Sequence, residues 1–338
     1  MGTTSTRPTG RKADFAARFL VRAALTAPSV HNTQPWRFVS HRDRLELYAD
    51  LSRPLRVGDP AGREMVISCG AALFNVRLAI RHLGFVPRMR LLPDTSRPDL
   101  LAEIGWGEYA TPTELDDLLY RALPRRHTHR GPFDTVPVSP WLIGELCDVV
   151  RRQRATLYPV RDEAERRRLA AIVRTAELAQ RADGRFTLER ARWAPAPELV
   201  RADGIPATAY PMQPDGLQVL FAGRDFAAGA PWGFPLRARK LDGRAVGAVA
   251  VLATPSDRRL DWLLSGQALQ HLLLYATAHG IKVALHTQPL ELPDLRAKIR
   301  SQLLGRSGHP QVILRLGHSA QVLTTPRRSV PDTLTEAE

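Results

Sequence analysis

The chain has 338 residues, 44% hydrophobic and 24% charged, which is the composition of an ordinary globular protein and a length for two domains or one large one. The formal net charge is +14, yet 44 of the 48 cations are arginines scattered along the chain, often beside acids, as in Arg161-Asp162-Glu163. A nucleic-acid binder gathers its cations on one face or stripe, and no recognition-module signature accompanies these, so no nucleic-acid partner is expected.

In chain order, residues 1–12 show no periodicity and are expected to form a flexible N-terminus. Residues 13–26 place Phe15, Phe19, Arg22 and Ala23 at helical spacing, and Pro28 ends that helix. A proline-stiffened loop runs to Trp36. Strands are predicted over Arg37-Phe38-Val39 and, from its alternation, over residues 44–49. Residues 62–83 form a helix stopped at Gly84, residues 101–105 a strand, and residues 113–122 a helix that leads into the basic segment Arg125–Arg130. The second half follows with a helix at 140–152, a strand at 155–160 and a charged helix from about 162 to 181. Residues 183–243 hold seven prolines and read as irregular. So long a structureless stretch inside a compact domain points to a lid or binding loop. A buried strand (245–252), a helix (261–279), a strand after Gly280 and another at 311–317 complete the pattern, and the tail 324–338 has no strong periodicity.

An internal repeat links the halves. Residues 69–84 lie over 265–280 without a gap, matching Gly70 with Gly266, Ala72 with Ala268, Leu73 with Leu269, Leu78 with Leu274 and Gly84 with Gly280.

Two segments carry chemistry. In Pro28-Ser29-x-x-Asn32-x-Gln34-Pro35-Trp36, three neutral polar side chains on a stiff loop suit the edge of a polar heterocycle. A helix cap and turn would account for Ser29 and Asn32 but not for Gln34. In Arg125-Arg126-x-Thr128-x-Arg130, alternate residues of an extended segment face one way, so Arg126, Thr128 and Arg130 could converge on one anion. Two guanidinium forks and a hydroxyl match a phosphate monoester, whereas an isolated basic run is more often a solvated surface.

Together these segments resemble the FMN-dependent nitroreductase family, which has an Arg-x-Ser-x-Arg phosphate grip and a Pro-Ser-x-x-Asn-x-Gln-Pro-Trp loop reaching the flavin across a dimer interface. Here the loop motif stands in the first half and the phosphate motif in the second. The first half has only Thr6-Arg7-Pro8-Thr9-Gly10-Arg11 in place of a phosphate grip, and the second half has no loop motif after its 140–152 helix. This order resembles the tandem-fused Acg-like branch known from actinobacteria, as do Asp59-Pro60-x-Gly62-Arg63-Glu64 and Ser68–Leu73. The resemblance implies an α+β, nitroreductase-like fold of two pseudo-symmetric halves, 13–122 and 123–338, that imitate the family homodimer, can act as a monomer and hold one FMN. It implies flavin contacts from Pro28, Ser29, Asn32, Gln34, Arg126, Thr128 and Arg130, from Thr287 and Gln288 after the strand that follows Gly280, and from Arg327 and Arg328 near the C-terminus. NAD(P)H would be the electron donor and a nitro compound, quinone or other small molecule the acceptor. The flavin carries the redox chemistry, so no protein acid or base is assigned a catalytic role. The alternative is a flavin-sequestering protein with little turnover, in which 183–243 lies over the cofactor as a lid.

Other constellations are weaker. No apolar run reaches the roughly 20 residues of a membrane span, and the first dozen residues lack a signal core, so a cytoplasmic protein with no membrane partner is expected. Cys69 and Cys147 are too few for a disulfide framework or a cysteine-ligated zinc. His127 and His129 form a His-x-His pair without an evident third ligand, so no metal is expected. Neither Gly-x-Gly-x-x-Gly after a strand nor a Gly-x-Ser-x-Gly elbow occurs.

Overall fold

The computed structural model describes residues 11–196, 199–212, 221, 223, 224, 226, 233–235, 246–305 and 307–337. The first half contains α1 (Arg11–Ala24), β1 (Trp36–Ser40), β2 (Arg44–Ala49), α2 (Arg63–His82), β3 (Phe85–Leu91), β4 (Leu100–Tyr109) and α3 (Glu114–Ala122). The second contains α4 (Pro140–Arg151), β5 (Thr156–Val160), α5 (Glu163–Ala182), α6 (Gly184–Ala191), a short pair β6 (Pro211–Met212) and β7 (Phe234–Pro235), β8 (Ala248–Thr254), α7 (Arg259–Ala278), β9 (Lys282–Leu285), α8 (Pro293–Leu303), β10 (His309–Gly317) and β11 (Leu334–Glu336).

Two mainly antiparallel sheets repeat one topology. The first has the order β11-β1-β2-β4-β3 and the second β5-β8-β10-β9, so β1-β2-β4-β3 corresponds to β5-β8-β10-β9. The order helix, strand, strand, helix, strand, strand serves both halves once two insertions are removed: α5 to β7 between β5 and β8, and α8 between β9 and β10. This is an α+β fold of two pseudo-symmetric halves. The last strand crosses over, with β11 pairing parallel to β1 through Phe38 and Leu334.

The core lies between the sheets, where α2 and α7 cross. Both helices are buried on almost every face, the pattern of a helix enclosed by protein. They touch backbone to backbone. A Cβ added to Gly70 would stand 2.2 Å from the Leu263 carbonyl oxygen, and one added to Gly266 would stand 2.0 Å from that of Ile67. The contact is reciprocal, since Ile67 precedes Gly70 by the spacing at which Leu263 precedes Gly266. The aligned residues of the repeat thus meet on a pseudo-twofold axis. Beyond the two helices, Gly84 and Gly280 both take positive φ, +84° and +76°, the left-handed conformation glycine adopts without steric cost at a helix end.

Several expectations need correction. The helix expected over 13–26 begins at Arg11, inside the segment read as a flexible N-terminus, and residues 1–10 lie outside the described residues. Phe85–Leu91 is an edge strand, hidden in the sequence by Pro87 and by outward-facing Arg88 and Arg90. The stretch 183–243 is not wholly irregular, because Asp183 caps the eight-residue α6 by accepting from the Arg185 amide. Parts of that stretch fall outside the described residues. Pro293 starts α8, and the tail supplies β11, a strand too short to show any period.

Gly70→Ala and Gly266→Ala should each cost about 2–3 kcal/mol, because the methyl is forced against a backbone carbonyl rather than a movable side chain. Urea unfolding measures this, and an unchanged midpoint would show that the helices part without penalty.

Candidate functional site

The loop between α1 and β1 is anchored to α2 beside the helix crossing. Ser68 Oγ accepts from the Val30 amide at 3.3 Å, and Cys69 Sγ contacts the Pro35 carbonyl at 3.1 Å. The backbone is left-handed at three non-glycine residues, His31 (φ 48°), Asn32 (φ 55°) and Gln34 (φ 49°). Such conformations persist only where surrounding contacts over-determine them. Here the contacts are specific. Ser29 Oγ accepts from the Gln34 amide at 2.9 Å, so Ser29 braces the loop internally, as a turn-forming residue would. Pro28 is buried beside it.

Asn32 and Gln34 are buried, and their side chains bind other parts of the chain. Asn32 Nδ2 donates to the carbonyls of Gly204 (2.9 Å) and Pro326 (3.0 Å), while its Oδ1 accepts from Arg327 Nη1 (3.1 Å). Gln34 Nε2 donates to the Ala202 carbonyl (2.8 Å), and its Oε1 accepts from the Arg328 amide (2.8 Å). One loop therefore fastens two distant segments, 202–204 and 326–328.

Arg126, Arg130 and Arg327 form a cationic cluster beside this loop, here called the arginine cleft. After α3 the chain becomes extended, and Thr128 bridges Val283 of β9, with the His129 amide donating to the Val283 carbonyl at 2.8 Å. Arg126 is 2% exposed, and its Nη2 donates to the Thr26 carbonyl at 3.0 Å. Its Nε and Nη1 are buried without a partner, as is Arg327 Nε. Arg130 donates only weakly, to the Thr128 carbonyl at 3.4 Å. Among the described residues no carboxylate pairs with any of the three. Burial, then the charges of Arg327 and Arg130, push the Arg126 guanidinium down to about 9. Burial brings Arg130 to about 10, and burial followed by Arg130 brings Arg327 to about 10. All three stay charged at neutral pH. A buried cation ordinarily has an acid partner; Arg126 has none among the described residues, and neither do Arg130 and Arg327, half-buried beside it, so the three could together accept an anion.

Other predicted residues lie elsewhere. Arg328 points away from the cleft, donating to the carbonyls of Gln34 (3.1 Å) and Asp332 (2.6 Å) and pairing with Asp50 (3.4 Å). Thr287 belongs to a second polar group, where its hydroxyl accepts from Arg224 Nη2 at 2.9 Å and donates to Glu291 at 3.0 Å. Arg224 also pairs with Glu291 at 2.5 Å. The carbonyl of buried Gln288 accepts from Gln180 Nε2 at 3.2 Å. Among the described residues no group of His, Cys, Asp and Glu could hold a metal ion.

The segment expected to be a lid contacts both groups. Besides Ala202 and Gly204 on the loop, Asp203 pairs with Arg53 and with Arg201 (2.7 Å). Phe226 meets the His31 ring edge to face at 5.4 Å and Tyr210 at 5.5 Å. No local sequence signal marks Arg224, Tyr210 and Phe226, since Arg224 meets Thr287 and Glu291 more than 60 positions away and Phe226, packed on Tyr210, meets His31 from the other half of the chain.

The pseudo-symmetric position is filled differently. Asn75 donates to Thr26 Oγ1 at 3.0 Å on the first side, while His271, its counterpart in the repeat, contacts Gln153 at 3.3 Å on the other. There Arg77 Nη1 donates to Gln153 (2.9 Å) and Gln267 (2.6 Å), and Phe74 stacks on His271 at 4.9 Å.

Gln34→Ala removes the Ala202 and Arg328 contacts together, and the buried carbonyl and amide left behind should cost about 1–3 kcal/mol. Hydrogen exchange gives the sharper reading. The Arg328 amide should exchange at least tenfold faster in the variant, and an unchanged rate would contradict its dependence on Gln34.

No family model matches the chain. A Mycobacterium tuberculosis protein, Rv3131, named as a candidate NAD(P)H nitroreductase, is 33% identical over 317 residues, 93% of this chain and 89% of the relative. A second candidate nitroreductase of that organism, acg, is 29% identical over 316 residues, 92% of this chain and 93% of the relative. Among solved structures, the FMN-dependent nitroreductase NfnB from Mycobacterium smegmatis, in complex with NADPH, is a loose match, with a TM-score of 0.40 at 17% identity over 67% of this chain and 100% of that one. Identity of 33% across nearly the whole of both sequences decides the matter: this chain belongs to the nitroreductase family, in its Acg-like branch.

Proposed function

We propose that the protein is an FMN-dependent oxidoreductase that takes electrons from NAD(P)H and passes them to a nitro compound, quinone or other small acceptor, with one flavin per chain. The observation that carries this reading is the carboxylate-free cleft of Arg126, Arg130 and Arg327. The orphaned N–H groups of Arg126 and Arg327 fit the oxygens of a phosphate monoester. The Thr128 hydroxyl, without a protein partner among the described residues, adds a neutral donor. FMN, when bound, supplies the two-electron chemistry. The chain's own task is to hold the phosphate, orient the ring system and exclude water. In this reading Pro28, Ser29, Asn32 and Gln34 shape the wall beside the ring system, Asn32 and Gln34 through the segments they fasten. Thr287 and Gln288 border it from the far side, and Arg328 supports the wall from behind. Arg77, Gln153, Gln267 and His271 fill the related position, which favours one flavin over two. The halves 13–122 and 123–338 then do the work of a dimer within a monomer, in the cytoplasm.

A second reading, a flavin store with little turnover, is favoured by the lid contacts. Ala202, Gly204, Arg224 and Phe226 engage Asn32, Gln34, Thr287 and His31, the residues nearest the proposed ring site. Nicotinamide would have to compete with that segment, and its apparent affinity would fall with the fraction of time the site stands open.

The purified protein should bind one FMN. Arg126→Ala and Arg130→Ala should each weaken FMN by about 1.5–3 kcal/mol, the scale of a charge-assisted hydrogen bond, while riboflavin binding stays unchanged. Equal losses for both flavins would make the arginines structural. Anaerobic bleaching by NADH or NADPH separates enzyme from store. If the lid gates access, Asp203→Ala, which frees it from Arg53 and Arg201, should speed bleaching severalfold without loss of FMN. Fast bleaching in the wild type would dispose of the store.

A further inference from the structure

His31 is 7% exposed and sits in the strained loop between the arginine cleft and the lid. The Phe226 ring covers it from the lid side, and its neighbour Asn32 is bonded to Arg327 on the cleft side. Its ring nitrogens have no hydrogen-bond partner among the described residues. Three cations face it, namely Arg190 from α6, Arg224 from the lid and Arg130 from the cleft. Two of these are already neutralised. Arg190 pairs with Glu177 at 2.9 Å and Arg224 with Glu291 at 2.5 Å. Arg130 has no carboxylate among the described residues, so its field is the one an incoming anion can cancel.

We propose that the cleft is a proton-linked anion site, in which a phosphate monoester seated against Arg130 is taken up together with a proton on His31. With the cleft free of anion, burial and the three arginines hold His31 neutral, well below the ordinary histidine range. An anion at Arg130 removes part of that repulsion and raises the proton affinity. The sign follows from linkage: a site whose bound form holds more protons binds more tightly as pH falls. His127, between Arg126 and Thr128, is held down to about 4 by burial and then by Arg126, Arg327, Lys282 and Arg130, and contributes in the same direction. The proposal rests on the cleft as an anion site but not on any redox activity.

Sulfate is the probe, because it exchanges no proton of its own over the working range, whereas a phosphate monoester has a second pKa near 6. The imidazole resonance of His31, assigned by its loss in His31→Asn, is titrated by NMR with saturating sulfate and with chloride at equal ionic strength. Asparagine tolerates the left-handed backbone that His31 adopts. Sulfate should raise the His31 midpoint by about half a unit, and sulfate affinity should increase about threefold as pH falls from above the raised midpoint to below the sulfate-free one, the linkage equivalent of that shift. In His31→Asn most of this pH dependence should vanish. An unmoved His31 midpoint in wild-type protein saturated with sulfate, its resonance assigned sequentially where the variant fails to fold, overturns the proposal. Failure of sulfate to bind, in a protein that still binds FMN, overturns it and leaves the flavin reading standing.

Discussion

The approach of α2 to α7 at Gly70 and Gly266 governs the rest of the molecule. Two helices can share a backbone contact only where neither has a side chain, and here each glycine lies against a carbonyl of the other helix. That contact sets the spacing of the two halves and the axis relating them. It also reaches the site directly, since Ser68 and Cys69, immediately before Gly70, hold the loop that carries Asn32 and Gln34. A shift at the crossing would move the site wall with it.

The energetics of the cleft run against those of the core. Apolar burial around α2 and α7 stabilises the fold, whereas Arg126 is buried, and Arg130 and Arg327 half-buried, at a cost that no acid of the described residues offsets. The rest of the fold must sustain them, and an anion bound there as proposed would add to stability by mass action. Nearby cations are treated differently. Arg190, Arg224 and Arg328 each have a carboxylate within reach and act as struts. The same residue type therefore serves two purposes, separated by the presence of an acid.

The loop 28–36 joins these parts. Its left-handed residues Asn32 and Gln34 are held by bonds that also secure residues 202–204 and the C-terminal segment, so the three are coupled. Asn32 is central, touching Gly204, Pro326 and Arg327 with one amide group. Parting residues 202–204 from the loop would leave part of that amide unpaired, a penalty favouring the contact seen.

The sequence by itself determined the helices with strong periodicity, most strands, the kinship of 69–84 with 265–280, and two polar motifs. These are local properties: periodicity, glycine stops and residue chemistry survive in a linear reading. It marked Arg126, Thr128 and Arg130 as partners because alternate positions on an extended segment share one face. Only the tertiary structure could separate Arg327, which enters the cleft, from Arg328, which does not, for adjacent residues in an irregular tail carry no period to say which way each points. The pairing of β11 with β1 was hidden for a similar reason, because a three-residue strand is defined by its partner alone. The structure also decided that the amides of Asn32 and Gln34 hold chain segments about 170 and 294 residues away, since a side chain's hydrogen-bond partner is whatever polar group the fold brings within 3 Å, and that distance is fixed by packing.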